Sequence, residues 1–442
     1  MKKLLLKNCD VINHNERFHA DIYIENTHIT KIFRENSKIS PEIDADADIK
    51  VINLSGFLVF PGFIDTHVHF RQPGYEQAED FISGSQAALR AGVTSILDMP
   101  NNNPAITTIE NLWKKRDSAR KSMMVNYGFY LAATNTNIDE VLNAKHIAGV
   151  KLFFGTTTGN ILMDDQNAIE DLFKNSPHKI IVHAEDEQTI QQNTAKYKHQ
   201  NKPALHYKIR TKEAAITAIR KIIELTEKYN TNTHIAHLSS PDEVELVKNT
   251  TLTYEIAIPH LFFNIDDYAT KGNLIKCNPS VKCTIAEVEL LWNYLREIKN
   301  IQVVTDHAPH PLVDKSVTDY WQAKAGIPSI ENSSRLLLNA AKENRIDFTD
   351  ISRLYSYNPS KNFNIQNRGE IREGYFADFA IVNPNKKHEI LNKHQISRCS
   401  WTPFHHKISL CDIDMTILNG TIGYEKGTFY IEDALKSALE VF

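Results

Sequence analysis

The feature that most constrains the fold is an alternation of short apolar runs and helix-like segments through the middle of the chain. Eight runs with strand character fall between residues 57 and 306, and they end at His69, Pro100, Thr134, Gly155, Glu185, Ser239, His260 and Asp306. Some of the segments between them begin with helix-capping patterns, as in Ser240-Pro241-Asp242-Glu243 and Thr284-Ile285-Ala286-Glu287. Eight strand–helix units over about 300 residues are typical of a (β/α)8 TIM barrel, which we predict for residues 57–364.

A doubly wound open sheet is the alternative fold for strands that alternate with helices. Nucleotide-binding folds of that class carry a glycine-rich turn after the first strand. The first strand-like run in this chain is followed instead by Phe70-Arg71-Gln72-Pro73-Gly74. The sequence therefore favours the barrel.

The two ends of the chain contain short β runs separated by turn residues. Examples are Asp21-Ile22-Tyr23-Ile24 near the start and Met415-Thr416-Ile417-Leu418 near the end. Neither end holds enough apolar strand to bury a core alone. We therefore predict one small β-sandwich domain formed by residues 1–56 together with residues 365–442.

The composition excludes several classes of protein. The 442 residues carry a formal net charge of −4, which provides no basic surface for nucleic acid or for an anionic membrane. No run approaches the ~18 apolar residues of a membrane span, and Leu4-Leu5-Leu6 is too short for a signal peptide. The five scattered cysteines are consistent with a reduced, cytoplasmic protein.

The most distinctive motif is Asp65-Thr66-His67-Val68-His69-Phe70-Arg71-Gln72-Pro73-Gly74. If the extended conformation persists, His67, His69 and Arg71 point to the same side, because alternate side chains of a strand share a face. Two imidazoles in this arrangement can chelate zinc. A neighbouring arginine can hold a substrate carboxylate through its planar guanidinium.

Further polar residues occur at the ends of other predicted strands, where barrel active sites lie. They are Lys151, His183, His237 and Asp306. Together with the two histidines of the motif they are too many for one tetrahedral zinc, which takes about four ligands, and they suit two metals about 3.5–4 Å apart.

Lys151 is unusual in this set, because an ammonium group cannot ligate a metal. A desolvated lysine can lose its proton and react with carbon dioxide, and the resulting carbamate offers one oxygen to each metal. The alternative is an ordinary lysine that extends from an apolar strand to water.

The chain resembles the dihydroorotases of the amidohydrolase superfamily from about residue 57 to residue 375, with weaker similarity at both ends. Besides the histidine motif, the resemblance is carried by four stretches: Glu79-Asp80-Phe81-Ile82-Ser83-Gly84-Ser85, Asp98-Met99-Pro100-Asn101, Thr305-Asp306-His307-Ala308-Pro309-His310 and Gly369-Glu370-Ile371-Arg372-Glu373-Gly374-Tyr375-Phe376-Ala377-Asp378.

The resemblance implies a centre with two zinc ions. It assigns the first ion to His67, His69 and Asp306, the second to His183 and His237, and the bridge between them to carboxylated Lys151. Many bacterial relatives lack the lysine and carry Asp-Asp-Gly after the fourth strand, where this chain has Gly155-Thr156-Thr157-Thr158-Gly159. This difference favours the lysine-bridged branch and leaves Asp164 or Asp165 as the alternative bridge.

The resemblance also implies how the substrate binds. Arg71, Asn101 and His310 match positions that hold the substrate carboxylate, and Asn278 and Gly326 match positions that contact the ring amides. Asp306 is expected to be catalytic as well, taking a proton and passing it to the leaving amide nitrogen.

The expected activity is the reversible cyclisation of N-carbamoyl-L-aspartate to L-dihydroorotate in pyrimidine biosynthesis. The protein is expected to act on this small molecule without nucleic acid or membrane partners, and to form a homo-oligomer. A hydantoinase or allantoinase is the nearest alternative, although it does not need Arg71. A non-catalytic structural homologue is the other alternative, but all six ligand positions are filled in this sequence.

Two further expectations concern the surroundings of the site. Residues 155–166 are rich in Gly, Thr and Asn, which suits a mobile loop that closes over the substrate, with Thr157 or Thr158 touching it. An ordinary connecting loop is the alternative. His234, His260 and His307 are expected to be hydrogen-bonded parts of the scaffold.

Overall fold

The computed structural model describes residues 2–34, 39–44, 46–156 and 161–442. Within these residues, eight parallel strands neighbour one another in chain order. They are Phe63–Val68, Val93–Asp98, Asn126–Ala132, Gly149–Phe153, Ile180–His183, Thr233–Leu238, Thr253–Ala257 and Ile301–Val304, the first to eighth barrel strands. A bridge between Val68 and His307 joins the first strand to the segment after the eighth, and the His69 N–H donates to the His307 carbonyl at 2.8 Å. The predicted barrel is confirmed.

Helices follow the barrel strands, as the capping patterns predicted. The Thr284 hydroxyl and the Glu287 carboxylate cap the start of one of them reciprocally. In the described part of the chain, no helix has the length and apolar composition needed to cross a bilayer. The α-helices are Pro41–Asp44, Phe81–Arg90, Ile109–Ala119, Ile138–Asn143, Gln166–Asn175, Glu187–Tyr197, Leu205–Ile209, Lys212–Tyr229, Pro241–Val247, Ile258–Phe262, Tyr268–Lys271, Ile285–Glu297, Leu312–Lys315, Ile330–Lys342, Phe348–Ser352, Asn358–Asn362 and Ile431–Ser437.

The two ends of the chain meet in a separate mixed sheet. Among the described residues it contains nine strands, with one from each end flanking Leu58–Pro61 at its centre. One face packs into a single apolar cluster that includes Leu6, Val11, Phe379 and Ile417. The strands are Lys3–Ile12, Arg17–Glu25, His28–Arg34, Lys50–Asn53, Leu58–Pro61, Phe379–Asn383, Asp412–Leu418, Thr421–Glu425 and Thr428–Phe429, and a separate pair is formed by His388–Glu389 and Ile408–Ser409.

The predicted start of the barrel at residue 57 requires a correction. Leu58–Pro61 pairs with Lys3–Ile12 and with Phe379–Asn383, so it belongs to the terminal sheet. The first barrel strand begins at Phe63, after the short connection at Gly62. A fully buried strand has the same apolar composition in either sheet, so the run Phe57-Leu58-Val59-Phe60 alone does not reveal its partners.

Candidate metal centre and substrate cavity

Two histidines and an aspartate meet where the first and eighth barrel strands end. Asp306 Oδ1 lies 3.5 Å from His67 Nε2 and 3.2 Å from His69 Nε2. All three side chains are buried, and their donor atoms are close enough together to hold one metal ion. The Asp306 backbone adopts the left-handed conformation, with φ of 45°, which is uncommon outside glycine and is often found at functional sites.

Hydrogen bonds fix which nitrogen of each histidine faces the aspartate. His67 Nδ1–H donates to Glu255 Oε1 at 2.5 Å, and His69 Nδ1–H donates to Asn101 Oδ1 at 2.6 Å. Because these oxygens only accept, each Nδ1 carries the proton and each Nε2 presents its lone pair toward Asp306. This arrangement of outer hydrogen bonds and inner lone pairs is the one that metal-binding histidines adopt, so the residues fit a divalent metal.

A second pair of histidines faces this group. His183 Nδ1 lies 3.0 Å from His237 Nε2, and His183 Nε2–H donates to Glu185 Oε2 at 2.9 Å. The rings of His67 and His237 are 5.1 Å apart between centroids, so the two groups of histidines are neighbours. The inner nitrogens of His183 and His237 therefore converge as two ligands of one ion would.

Burial keeps these imidazoles neutral. It lowers the pKa of His67 to about 4 and the pKa of His183 below its usual value. The pKa values of His69 and His237 fall well below the usual value, mainly through burial and secondly through the charge of Arg71 on His69 and the contact of His183 with His237. Neutral imidazole is the form that binds metal.

Lys151 lies in the fourth barrel strand and is buried. Its Nζ has no hydrogen-bond partner among the described residues and lies 5.2 Å from the centre of the Phe153 ring. Burial lowers the pKa of Lys151 to about 8, although Glu255 and Asp306 oppose the shift. A substantial fraction of neutral amine is therefore present near pH 8, as carboxylation would require.

The alternative bridging residues lie elsewhere. Asp164 and Asp165 are solvent-exposed. Asp164 accepts a hydrogen bond from the Asn135 amide at 2.8 Å, and Asp165 caps the helix Gln166–Asn175. Both contacts argue against a bridge from this segment. Thr157 and Thr158, which were predicted to touch the substrate, lie outside the described residues.

Glu255 is the main contributor that sequence reasoning missed. Besides bonding His67, its carboxylate accepts hydrogen bonds from His234 Nε2 at 3.0 Å and from Gln302 Nε2 at 3.2 Å. The expectation that His234 and His307 are hydrogen-bonded parts of the scaffold is confirmed, since His234 bonds Glu255 and His307 Nε2 bonds Glu79 at 3.2 Å. It is not confirmed for His260, whose buried Nδ1 has no hydrogen-bond partner among the described residues. The available signal was a charged residue inside the apolar strand Thr253–Ala257.

A cavity of about 1230 Å³ opens beside these residues and is lined by Arg71, Asn101, Asn278 and His310. Arg71 is 3% exposed, its Nε–H donates to the Pro309 carbonyl at 3.1 Å, and its Nη2 lies 3.3 Å from His310 Nε2. Burial lowers the pKa of Arg71 to about 10, so the guanidinium remains charged at neutral pH.

The prediction that strand alternation places Arg71 on the same face as His67 and His69 is wrong, because the extended conformation does not persist to Arg71. The first barrel strand ends at Val68, and Arg71 has a left-handed backbone with φ of 62°. The guanidinium therefore reaches the cavity through a turn, whereas His67 and His69 reach the centre from the strand and its end.

Of the two remaining residues predicted to bind substrate, Asn278 lines the cavity and Gly326 follows a lining residue in the chain. Asn278 Oδ1 accepts a hydrogen bond from His206 Nε2 at 3.0 Å. Gly326 adjoins the cavity residue Ala325, and its N–H donates to the Lys276 carbonyl at 2.9 Å. A Cβ at Gly326 would lie 2.3 Å from the Ala308 carbonyl, so only glycine fits at this position.

Comparison with known proteins shows similarity over nearly the whole chain. Residues 58–422 match the model of the amidohydrolase family. A dihydroorotase from Methanosphaera stadtmanae is 31% identical, with 98% of this chain and 99% of the relative covered. A dihydroorotase from Thermococcus kodakarensis is 30% identical, with 100% and 99% covered.

Similarity to solved structures extends to the fold. An L-hydantoinase (dihydropyrimidinase) from Arthrobacter aurescens superposes with a TM-score of 0.92 and 23% sequence identity, and 98% of this chain and 99% of that one are covered. At this level of identity the likeness concerns the barrel and the terminal sheet.

Proposed function

Because the chain belongs to the amidohydrolase family, we propose that it is a dihydroorotase, which interconverts N-carbamoyl-L-aspartate and L-dihydroorotate in pyrimidine biosynthesis. Two relatives that bear this name are similar over 99% of their length, which supports the proposal. The observation that carries it is Arg71. Among the described residues, no carboxylate lies within ion-pair distance of this buried guanidinium. A buried charge is unfavourable unless it is paired. We therefore expect the cavity to bind an anionic ligand, such as the substrate carboxylate.

The proposed cofactor is zinc, as two ions. His67, His69 and Asp306 would hold the first, His183 and His237 would hold the second, and carboxylated Lys151 would bridge them. When bound, the ions supply Lewis-acid polarisation of the amide carbonyl and activation of water. The neutral, oriented imidazoles support this assignment, as does the Lys151 amine, which has no hydrogen-bond partner among the described residues.

The residues around the cavity can bind and orient the substrate. Arg71, Asn101 and His310 would bind the carboxylate and so orient the ring. The Gly326 N–H is bonded to Lys276, so Gly326 would offer its carbonyl to a ring N–H. Asn278 already accepts at Oδ1 from His206, so its amide N–H would donate to a ring carbonyl.

Asp306 is the proposed proton carrier. In ring opening it would take the proton of the attacking water and deliver it to the ring nitrogen as the C–N bond breaks, and ring closure would reverse these transfers. Burial raises the pKa of Asp306 above its usual value, which makes the carboxylate a better proton acceptor.

We further infer that the protein acts in the cytoplasm, which the five free, buried cysteines support. The small-molecule substrate follows from the proposed activity. A homo-oligomeric state and the absence of nucleic-acid and membrane partners stay expectations.

A substrate comparison tests the proposed function. The purified protein is assayed with dihydroorotate, hydantoin and allantoin, and its metal content is measured on the same sample. We expect turnover of dihydroorotate well above that of the other two, with two zinc ions per chain. Preferential turnover of hydantoin or allantoin would instead identify a sibling cyclic amidase, and a metal-replete protein without turnover would favour the structural homologue.

A further inference from the structure

Arg210 is a buried arginine at the edge of the cavity that has no role in the mechanism described above. Its Nη1–H donates to Glu185 Oε2, and its Nη2–H donates to the backbone carbonyl of Thr156. Thr156 follows the fourth barrel strand and Glu185 follows the fifth. One guanidinium therefore connects the ends of the two strands that carry Lys151 and His183.

Glu185 links this arginine to a proposed metal ligand. Its Oε2 accepts from both Arg210 and His183, the latter at 2.9 Å, and the side chain is 1% exposed. A buried carboxylate is costly unless its charge is compensated, and Arg210 supplies that compensation. With the proton of His183 held on Nε2, the lone pair of Nδ1 is left to face His237.

The backbone that follows the fourth barrel strand packs closely against Glu185. A Cβ at Gly155 would lie 2.5 Å from the Glu185 carbonyl, so glycine is needed for the two segments to approach this closely. The next residue, Thr156, makes a second hydrogen bond, in which its N–H donates to Glu187 Oε2 at 2.7 Å. The contact between the two strand ends is therefore built from both segments.

We propose that Glu185 and Arg210 form a clamp that positions His183 and the end of the Lys151 strand for the second metal. This inference rests on the proposed two-metal centre. Neither residue touches the reacting atoms, so both act as positioning residues. The arginine is required for its planar fork, because its two terminal nitrogens donate to two separate acceptors and a lysine ammonium does not reproduce that geometry.

The test uses Glu185→Gln and Arg210→Lys in the full-length, metal-loaded protein. Arg335→Lys is the matched control, since Arg335 is also buried and pairs with Asp412 at 2.8 Å where the helix Ile330–Lys342 meets the terminal sheet. Each protein is loaded with Co²⁺ or Zn²⁺ and equilibrated against graded concentrations of chelator. Metal content per chain and the Co²⁺ absorption spectrum are then recorded.

We expect both clamp variants to bind the second metal about 10- to 100-fold more weakly and to retain the first, because the loss of an outer-shell partner has that effect on metal affinity. The Co²⁺ spectrum should change accordingly, while Arg335→Lys keeps the spectrum and metal content of the wild type. If Glu185→Gln does not fold, Arg210→Lys carries the test, because it preserves the charge and removes only the fork.

The clamp is overturned if the variants retain both metals with wild-type affinity, or if Arg335→Lys loses metal to the same extent. The outcome also separates the clamp from the proposed function. A wild-type protein that binds one metal contradicts the two-metal centre and the clamp together. A wild-type protein with two metals and dihydroorotate turnover, alongside unaffected clamp variants, contradicts the clamp alone.

Discussion

The two halves of the candidate metal centre differ in how complete they are. In the half formed by His67, His69 and Asp306, two imidazole nitrogens lie 3.5 and 3.2 Å from one carboxylate oxygen. In the other half, His183 and His237 face each other at 3.0 Å and the third member, Lys151, ends in an amine without a hydrogen-bond partner in the described chain.

Under the proposed assignment, folding alone assembles the first half, whereas the second half also needs carboxylation of Lys151. An anionic ligand is already present in the first half as an aspartate side chain. In the second half the anionic ligand arises only if Lys151 is carboxylated. We therefore expect the first half to bind zinc regardless of carbon dioxide and the second half to depend on it.

The largest effect is expected for Asp306→Asn, which removes the anion of the first half. Turnover of dihydroorotate should fall by about 10²- to 10⁴-fold, the range for loss of a general acid–base group, and the first metal should bind more weakly. Steady-state kinetics with parallel metal analysis measure both effects. Asp164→Asn, at an exposed site, is the control. Equal activity of the two variants would remove Asp306 from the mechanism.

Lys151→Ala tests the second half directly. We expect loss of the second metal and most of the turnover, with the first metal retained, because the variant removes only the modifiable ligand. A short carboxylic acid such as acetate should restore part of both by supplying the missing oxygens. A variant that keeps two metals without added acid would show that Lys151 is not the bridge.

Arg71→Ala should leave both halves of the centre intact. We expect about a 10- to 150-fold lower kcat/KM for dihydroorotate, since a hydrogen bond to a charged group contributes about 1.5–3 kcal/mol. Metal content should equal that of the wild type. An unchanged kcat/KM would remove the main argument for this substrate over hydantoin and allantoin.

Glu255→Gln tests the first half of the centre separately from the second. The variant weakens the hydrogen bond that orients His67, so the affinity for the first metal should fall by about 10- to 100-fold. Chelator titration of Co²⁺-loaded protein measures this, and Glu185→Gln provides the counterpart for the second half. If both variants lost the same metal, the division into two halves would be wrong.

The smallest effect concerns the metal-free protein and pH. His67, His206 and His260 have pKa values lowered by burial to about 4, 3 and 3. Below pH 6.5 these histidines bind protons in the unfolded chain but remain neutral in the folded protein. The free energy of unfolding of the metal-free protein should therefore fall as the pH drops from about 6.5 to 4.

Urea denaturation of the metal-free protein at pH 7, 6 and 5 measures this dependence. Zinc should not reduce the slope, since a metal bound to His67 keeps protons off that imidazole in the folded protein. A stability that does not change between pH 7 and 5 would mean that these imidazoles are not held neutral by burial.

The sequence alone predicts the barrel, and it places most of the proposed metal ligands at the ends of barrel strands. Eight strand-like runs alternate with helical segments, and the carboxyl ends of parallel barrel strands open at one mouth. The sequence therefore predicts that residues as distant in the chain as His69 and Asp306 lie at the same end of the barrel. The assignment of both chain ends to one domain followed from their shortage of apolar strand.

Tertiary structure alone decided which groups orient those residues. Glu255 and Glu185 bond histidines of the centre, and Arg210 bonds Glu185, from segments whose proximity depends on barrel closure and side-chain packing. Glu255 is marked in the sequence only as a charge inside an apolar strand, which does not reveal its partner. It also decided that Leu58–Pro61 joins the terminal sheet and that Arg71 enters the cavity through a left-handed turn. Periodicity reports which residues are buried, whereas hydrogen-bond partners depend on distances between segments that are remote in the chain.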